Sequence, residues 1–281
     1  ISKLVRRKKF IFEVRDLWPE LPKAMGVINN PVVLKLMDTL EYISYYTSDA
    51  CIGLSPGIVH GIKSKVPSKR VALIPNGCDL NMSNVHSSTN DKDEFIVAFT
   101  GAHGLANGLD AVLDAAAILL KRNYLDIKIH FIGDGKMKPH LIDRAINESL
   151  VNCVFMDPMA KHSLFDYLQK NVSAGLMVLE NIPAFYFGTS PNKFFDYISL
   201  GLPVINNYPG WVANLIEENQ CGYVVPPNNP EFFADAIVNI RDNNSLNNKM
   251  GSNARKLAEQ VFDRNLQSNK VVEYLESIVE C

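Results

Sequence analysis

Short apolar, β-prone segments alternate with amphipathic segments along almost the whole chain, and this alternation narrows the fold more than any other feature. A strand followed by a helix before the next strand can pair only through a crossover. The result is parallel sheets covered by helices on both faces. FIFEV (Phe10–Val14), ACIGLS from Ala50 and RVALIP from Arg70 read as strands, with helices opening at Pro31 and Pro56. Residues 83–94, SNVHSSTNDKDE, hold a single apolar residue, Val85, and read as a linker. Beyond it FIVAFTG, IKIHFIG, VNCVFM, SAGLMVL, PVIN and GYVV read as six further strands. Leu109–Arg122 places Leu109, Val112, Leu113, Ala116 and Leu120 near the 3.6 period of a helix. Further helices are expected over Pro139–Glu148, Leu246–Gln260 and Arg264–Val279. The expectation is an α/β protein with about three strands before the linker and about six after it.

The length of 281 residues suggests roughly two domains. A hydrophobic fraction of 47% and a charged fraction of 21% are those of a globular chain. Lys plus Arg number 28 against 30 Asp plus Glu, so there is no basic excess to suggest a nucleic-acid partner. No apolar run reaches the ~18 residues of a bilayer span. Cys51, Cys78, Cys153, Cys221 and Cys281 are odd in number, widely spaced and form no C-x-x-C, which reads as reduced thiols in a cytoplasmic protein. The six histidines are scattered, so no protein-built metal site is expected. The chain opens on Ile1 and runs at once into an apolar segment, which suggests a longer protein that has been cut. The basic run from Lys3 to Lys9 fits a solvated chain end better than a contact with anionic lipid.

In open parallel sheets ligands bind beyond the carboxyl ends of the strands. In FTGAHGLANGLD a strand ends at Thr100, and Gly101, Gly104 and Gly108 lead into a helix. Glycines let backbone approach a ligand, and a helix N-terminus favours phosphate. His103 adds a side chain able to donate to an oxyanion; a plain tight βα turn is an equal reading. In TSPNKFFDY, Thr189 or Ser190 can cap a helix with Pro191 in its first turn. Lys193 and Asp196 are three apart and share a face. A lysine there opposes the helix dipole unless an anion joins it, and Asp196 can accept from a ribose diol. The bland reading is a solvated Lys–Asp pair. Phe194, Phe195, Tyr197, Ile198 and Leu200 read as core. Arg15 and Asp16 follow the first strand, where either a cleft or a surface turn is possible, and Glu180 holds a similar position after SAGLMVL. Asn76, Gly77 and Asp79 read as a turn at the domain junction.

VRDLWPE, IPNGCD, FTGAHGLANGLDAVLDAA, FIGDG and SPNKFFDYISLGLPVINNYPGW occur in this order. Together they resemble retaining group 1 glycosyltransferases of the GT-B fold, in the branch that builds bacterial capsule and O-antigen polysaccharides. The resemblance implies two Rossmann-like domains facing a cleft, the first holding the acceptor and the second the nucleotide-sugar. Residues 1–82 would be the C-terminal part of the acceptor domain, 83–94 the linker, 95–262 the nucleotide-sugar domain and 263–281 a crossover helix.

By the same resemblance Gly101 and Gly104 would lie against the donor diphosphate. His103 stands where many relatives carry Arg, and Asn107 where many carry Lys. Lys193 matches the lysine that neutralises the leaving group, and Asp196 the second Glu of a Glu-x7-Glu motif that holds the ribose. Gly188 falls at the first Glu, so Gly188, Thr189, Ser190 and Asn192 would serve the donor instead. Arg15, with Asp16, falls near an active-site His of the acceptor domain. The implied reaction is transfer from a UDP-sugar to a lipid-linked saccharide at the inner face of the cell membrane, with retention. It needs no metal and no cofactor besides the donor. The main protein task is to stabilise the departing diphosphate, and no carboxylate pair stands out for double displacement. The alternatives are a non-catalytic nucleotide-sugar-binding module, a half-enzyme completed by a partner chain, and a sugar-nucleotide epimerase. No Gly-x-Gly-x-x-Gly follows a strand, which disfavours an oxidoreductase.

Overall fold

The computed structural model describes residues 8–82 and 94–280. The expected linker, apart from Glu94, and most of the Lys3–Lys9 run lie outside the described residues. The chain forms two compact units, one of Ile1–Gly77, Ile182–Pro191 and Arg264–Cys281, the other of Cys78–Asn181 and Asn192–Asp263.

The first unit begins with β1 (Ile11–Val14), α1 (Glu20–Ala24), α2 (Pro31–Thr47), β2 (Ala50–Gly53), α3 (Pro56–Lys65) and β3 (Val71–Leu73). Its strands lie in the order β1-β2-β3, all parallel, with Ile11 opposite Ala50 and Cys51 opposite Val71. Both long helices start as their sequences dictate. Asn30 accepts from the Val32 N–H at 2.9 Å ahead of Pro31, and Ser55 accepts from the Ile58 N–H at 3.2 Å ahead of Pro56. Cys51, Ile52, Ile58, Ile62 and Tyr45 form the core. Helix α2 turns Glu41 and Tyr45 inward, the Tyr45 hydroxyl donating to Glu41 Oε1 at 2.6 Å, and Lys65 pairs with the same carboxylate. Its Val32, Val33, Leu36, Leu40, Ile43 and Tyr46 are 41 to 65% exposed.

The second unit runs β4 (Phe95–Thr100), α4 (Asp110–Lys121), β5 (Ile127–Ile132), α5 (Lys138–Asn147), β6 (Cys153–Met156), α6 (Lys161–Asn171) and β7 (Ala174–Met177). The chain then enters the first unit with α7 (Pro183–Phe187) before returning as α8 (Asn192–Ser199). There follow β8 (Val204–Asn206), α9 (Trp211–Glu218), β9 (Gly222–Val224), α10 (Pro230–Asp242) and α11 (Asn244–Gln260); α12 (Arg264–Val279) belongs to the first unit. The sheet order is β6-β5-β4-β7-β8-β9, and every pair is parallel. Counted from β4, this is the doubly wound order 3-2-1-4-5-6, which reverses between β4 and β7. Val97, Ala98, Phe99, Ile129 and Phe131 are fully buried, as strands covered on both faces require. Helix α4 buries Val112, Leu113, Ala115, Ala116 and Leu119 in the same core as Phe233, Ile237 and Ile240 of α10. In the last turn Leu119 is fully buried and Leu120 packs partly buried against the same core.

Three contacts tie Ile182–Pro191 into the first unit. Ser55 Oγ donates to the Phe187 carbonyl at 3.0 Å, Asn76 Nδ2 donates to the Ser190 carbonyl at 3.0 Å, and a side chain at Gly57 would collide with Phe187. Helix α12 is held to the same unit by Arg70, which donates to the Ser277 carbonyl and hydroxyl at 3.1 and 2.8 Å. Among the described residues no helix is long and apolar enough to cross a membrane.

Candidate functional site

The reversal between β4 and β7 opens the sheet at the carboxyl end of β4, where the glycine loop begins. Gly101 leaves the strand at φ +121°, a conformation that side chains resist. Its N–H donates to the Ile132 carbonyl at 2.9 Å, so its amide is occupied within the sheet and does not point at a ligand. The Gly104 N–H has no partner among the described residues. A turn of 3-10 helix, Leu105–Asn107, follows. The loop is backed by the turn after β5, where a Cβ on Gly133 would clash with the Gly101 carbonyl. Lys138 holds that turn by donating to the Gly133 and Met156 carbonyls at 3.0 and 3.1 Å.

Helix α8 delivers the charge. Phe194, Phe195, Tyr197, Ile198 and Leu200 are buried as expected. Tyr197 fixes the helix on β4: its hydroxyl accepts from the Thr100 N–H at 2.9 Å, donates to the Ala98 carbonyl at 3.2 Å and lies 3.0 Å from Thr100 Oγ1. Its ring covers Gly175 of β7, where any Cβ would clash. Lys193, one turn earlier, therefore lies over the glycine loop. Its Nζ donates to Asn107 Oδ1 at 3.0 Å and sits 4.0 Å above the Phe99 ring. A Cβ on Gly101 would be 3.6 Å from Lys193 Cε. Burial alone pulls the Lys193 ammonium down to about 7.

His103 is 0% exposed, packed near the rings of Phe99 and Phe131, with neither ring nitrogen hydrogen-bonded. Burial first, and then the Lys138 ammonium, push it down to about 4, so it is neutral at pH 7. Lys161 Nζ lies 3.4 Å from Asp196 Oδ1 and also pairs with Asp79, while Lys193 bonds to Asn107. The solvated Lys193–Asp196 pair of the bland reading is therefore not formed. Asn192 is exposed at the first turn of α8.

The remaining expected site residues belong to the first unit. Gly188 ends α7, and Thr189 Oγ1 donates back to the Phe185 carbonyl at 3.0 Å instead of capping α8. Ser190 Oγ is buried without a partner. Arg15 is exposed and pairs with Glu13 at 2.9 Å. Asp16 is raised by burial, with Arg15 opposing. Both line a cavity of about 470 Å3 with Phe12, Trp18, Met37, Leu40 and Tyr45. Sequence reasoning missed Lys161 as the partner of Asp196, and Tyr197 as the bolt that sets α8. Tyr197 does carry a signal, a tyrosine among phenylalanines on a buried face, because a buried hydroxyl needs a partner. Among the described residues no cluster of three or more His, Cys, Asp or Glu could hold a metal ion.

Residues 83–257, more than half of the chain, match the family of glycosyl transferases group 1. The chain belongs to this family. It is similar to the O-antigen chain mannosyltransferase C of Escherichia coli, 22% identical over 244 residues that cover 84% of this chain and 62% of that protein. It is also similar to the alpha-D-kanosaminyltransferase of Streptomyces kanamyceticus, 26% identical over 165 residues that cover 59% of this chain and 41% of that protein. The chain thus spans less than two thirds of the length of either. Among solved structures, the sucrose-phosphate synthase of Thermosynechococcus elongatus matches with a TM-score of 0.77 at 16% identity, over 98% of this chain and 70% of that one. Anabaena HepE in complex with UDP-glucose matches with a TM-score of 0.76 at 16% identity, over 98% and 74%. The fold is the GT-B type, with Rossmann-like parallel α/β sheets.

Proposed function

We propose that the chain acts in glycosyl transfer, moving a sugar from a UDP-sugar to a lipid-linked saccharide with retention at the anomeric carbon, in the synthesis of surface polysaccharide. The observation that carries this reading is Lys193, an ammonium held half-buried over the glycine loop at the sheet reversal, bonded to Asn107 and stacked on Phe99, with burial lowering its pKa. Such a group is costly until an anion joins it. In the transfer, the bond between the anomeric carbon and the phosphate oxygen breaks. The acceptor hydroxyl oxygen bonds to that carbon on the same face, and its proton passes to the departing diphosphate. Negative charge grows on the diphosphate as the bond breaks, and the Lys193 ammonium meets it. The Gly104 N–H adds an uncharged donor, Asp196 takes the ribose hydroxyls, and Arg15 and Asp16 serve the acceptor side; His103, with both ring nitrogens buried, presents neither to a ligand.

Membership in the family supports the reaction class. The O-antigen mannosyltransferase relative supports the polysaccharide role, and the HepE complex supports UDP as the nucleotide. Calorimetry with a panel of nucleoside diphosphates tests it. UDP is expected to bind, and Lys193→Ala to weaken it at least about tenfold, the worth of one charged hydrogen bond. If no nucleotide binds, or the variant binds UDP unchanged, the site is misassigned.

A further inference from the structure

We infer that Asn107 is a positioning residue, whose side-chain amide fastens Lys193 to the glycine loop and aims its ammonium. The inference rests on the reading of Lys193 given above. Asn107 uses both ends of its amide in opposite senses. Its Nδ2 donates to the Ala102 carbonyl at 2.8 Å, within the loop, and its Oδ1 accepts from Lys193 Nζ at 3.0 Å, from a helix 86 residues away in sequence. Its own N–H donates to the Gly104 carbonyl at 3.1 Å, so the residue is itself fixed in the loop it serves.

The chemistry favours an amide at this point. An ammonium has three donors and a stem of four rotatable bonds. Asn107 takes one donor, and the Phe99 ring closes a second side at 4.0 Å. The remaining direction is left for an anion, with the stem already ordered before ligand arrives. A carboxylate in place of Asn107 would neutralise the lysine. An amide oxygen orients the ammonium and leaves its charge whole.

A double-mutant cycle on the full chain tests this, with UDP as the probe and calorimetry as the readout. Asn107→Ala is expected to weaken UDP about tenfold when Lys193 is present and less than about twofold in a Lys193→Met background. An equal loss in both backgrounds would mean that Asn107 acts only on the loop through Ala102, and would overturn the inference, as would no loss in either. If Lys193→Met alone leaves UDP affinity unchanged, the reading of Lys193 fails first and takes the inference with it. Asn107→Asp, nearly isosteric, gives the second arm. Its carboxylate competes with the diphosphate for Lys193, so UDP is expected to weaken by about a hundredfold, beyond the loss in Asn107→Ala. Binding by Asn107→Asp as tight as that of the unaltered chain would also overturn the inference. Thermal unfolding of each variant without ligand separates these effects from loss of fold.

Discussion

Helices α2 and α4 each lie between the first two strands of a parallel sheet, yet they reach opposite environments. Helix α4 buries five residues between the six-stranded sheet and α10, and its outward Asp110 and Asp114 are paired with Arg144. Helix α2 buries only Glu41 and Tyr45, while its Val32, Leu36, Leu40 and Ile43 stand largely exposed beside a three-stranded sheet. Apolar residues in the sequence locate a helix in both cases. They do not say how much of the face is covered, because that depends on how many strands and neighbouring helices lie around it. The difference has a consequence for chemistry. Lys193, the lysine whose pKa burial lowers, sits in the thickly covered unit.

The strongest test of this contrast compares equivalent truncations. Leu113→Ala in α4 should cost about 2–5 kcal/mol, since the residue is fully buried. Leu36→Ala in α2, 65% exposed, should stay within about 0.5 kcal/mol. Urea unfolding followed by probes in each unit checks both, and similar costs would end the comparison. Next in size, Tyr197→Phe removes a hydroxyl bonded to Thr100 and Ala98, leaving the Thr100 N–H unpaired. A loss of about 1–3 kcal/mol is expected, read as faster amide exchange confined to β4 and α8. A further effect concerns pH. With its pKa lowered from 10.5 to about 7, folded Lys193 binds fewer protons than the unfolded chain between those values. The slope of stability against pH is therefore positive across that window. Lys193→Met should be the more stable chain near pH 7, and the gap should close as pH rises toward 10.5. Melting curves across that range decide it; a gap that is constant or widens with pH would contradict the burial of the ammonium.

The fold was largely legible in the chain. The strands read from β1 through β9 fall where the alternation placed them, because buried parallel strands are nearly continuous apolar runs. Helices α1 and α7 were not, since each has five residues, a proline and no room for a period. Leu119 is buried more deeply than Leu120 in α4, because α10 packs against the helix and widens the covered stripe. At the site, the glycine loop and Lys193 were visible as local patterns. Their mutual placement was not, since it depends on Tyr197 lying across a residue without a side chain on β7. The pairing of Asp196 with Lys161 was equally hidden, because Lys161 is 35 residues earlier and on another helix.

The bond between Lys193 and Asn107 spans 86 residues, and the bonds of Tyr197 to Thr100 span 97. During synthesis the glycine loop therefore leaves the ribosome long before the lysine that completes it. Until α8 docks, the loop is an ordinary turn with no charge above it. Pairing between such distant segments is also a slow step in folding. On the proposed reading, capture of UDP by a nascent or refolding chain would therefore report that α8 has docked on the central strands, a conformational gauge as well as a measure of chemistry.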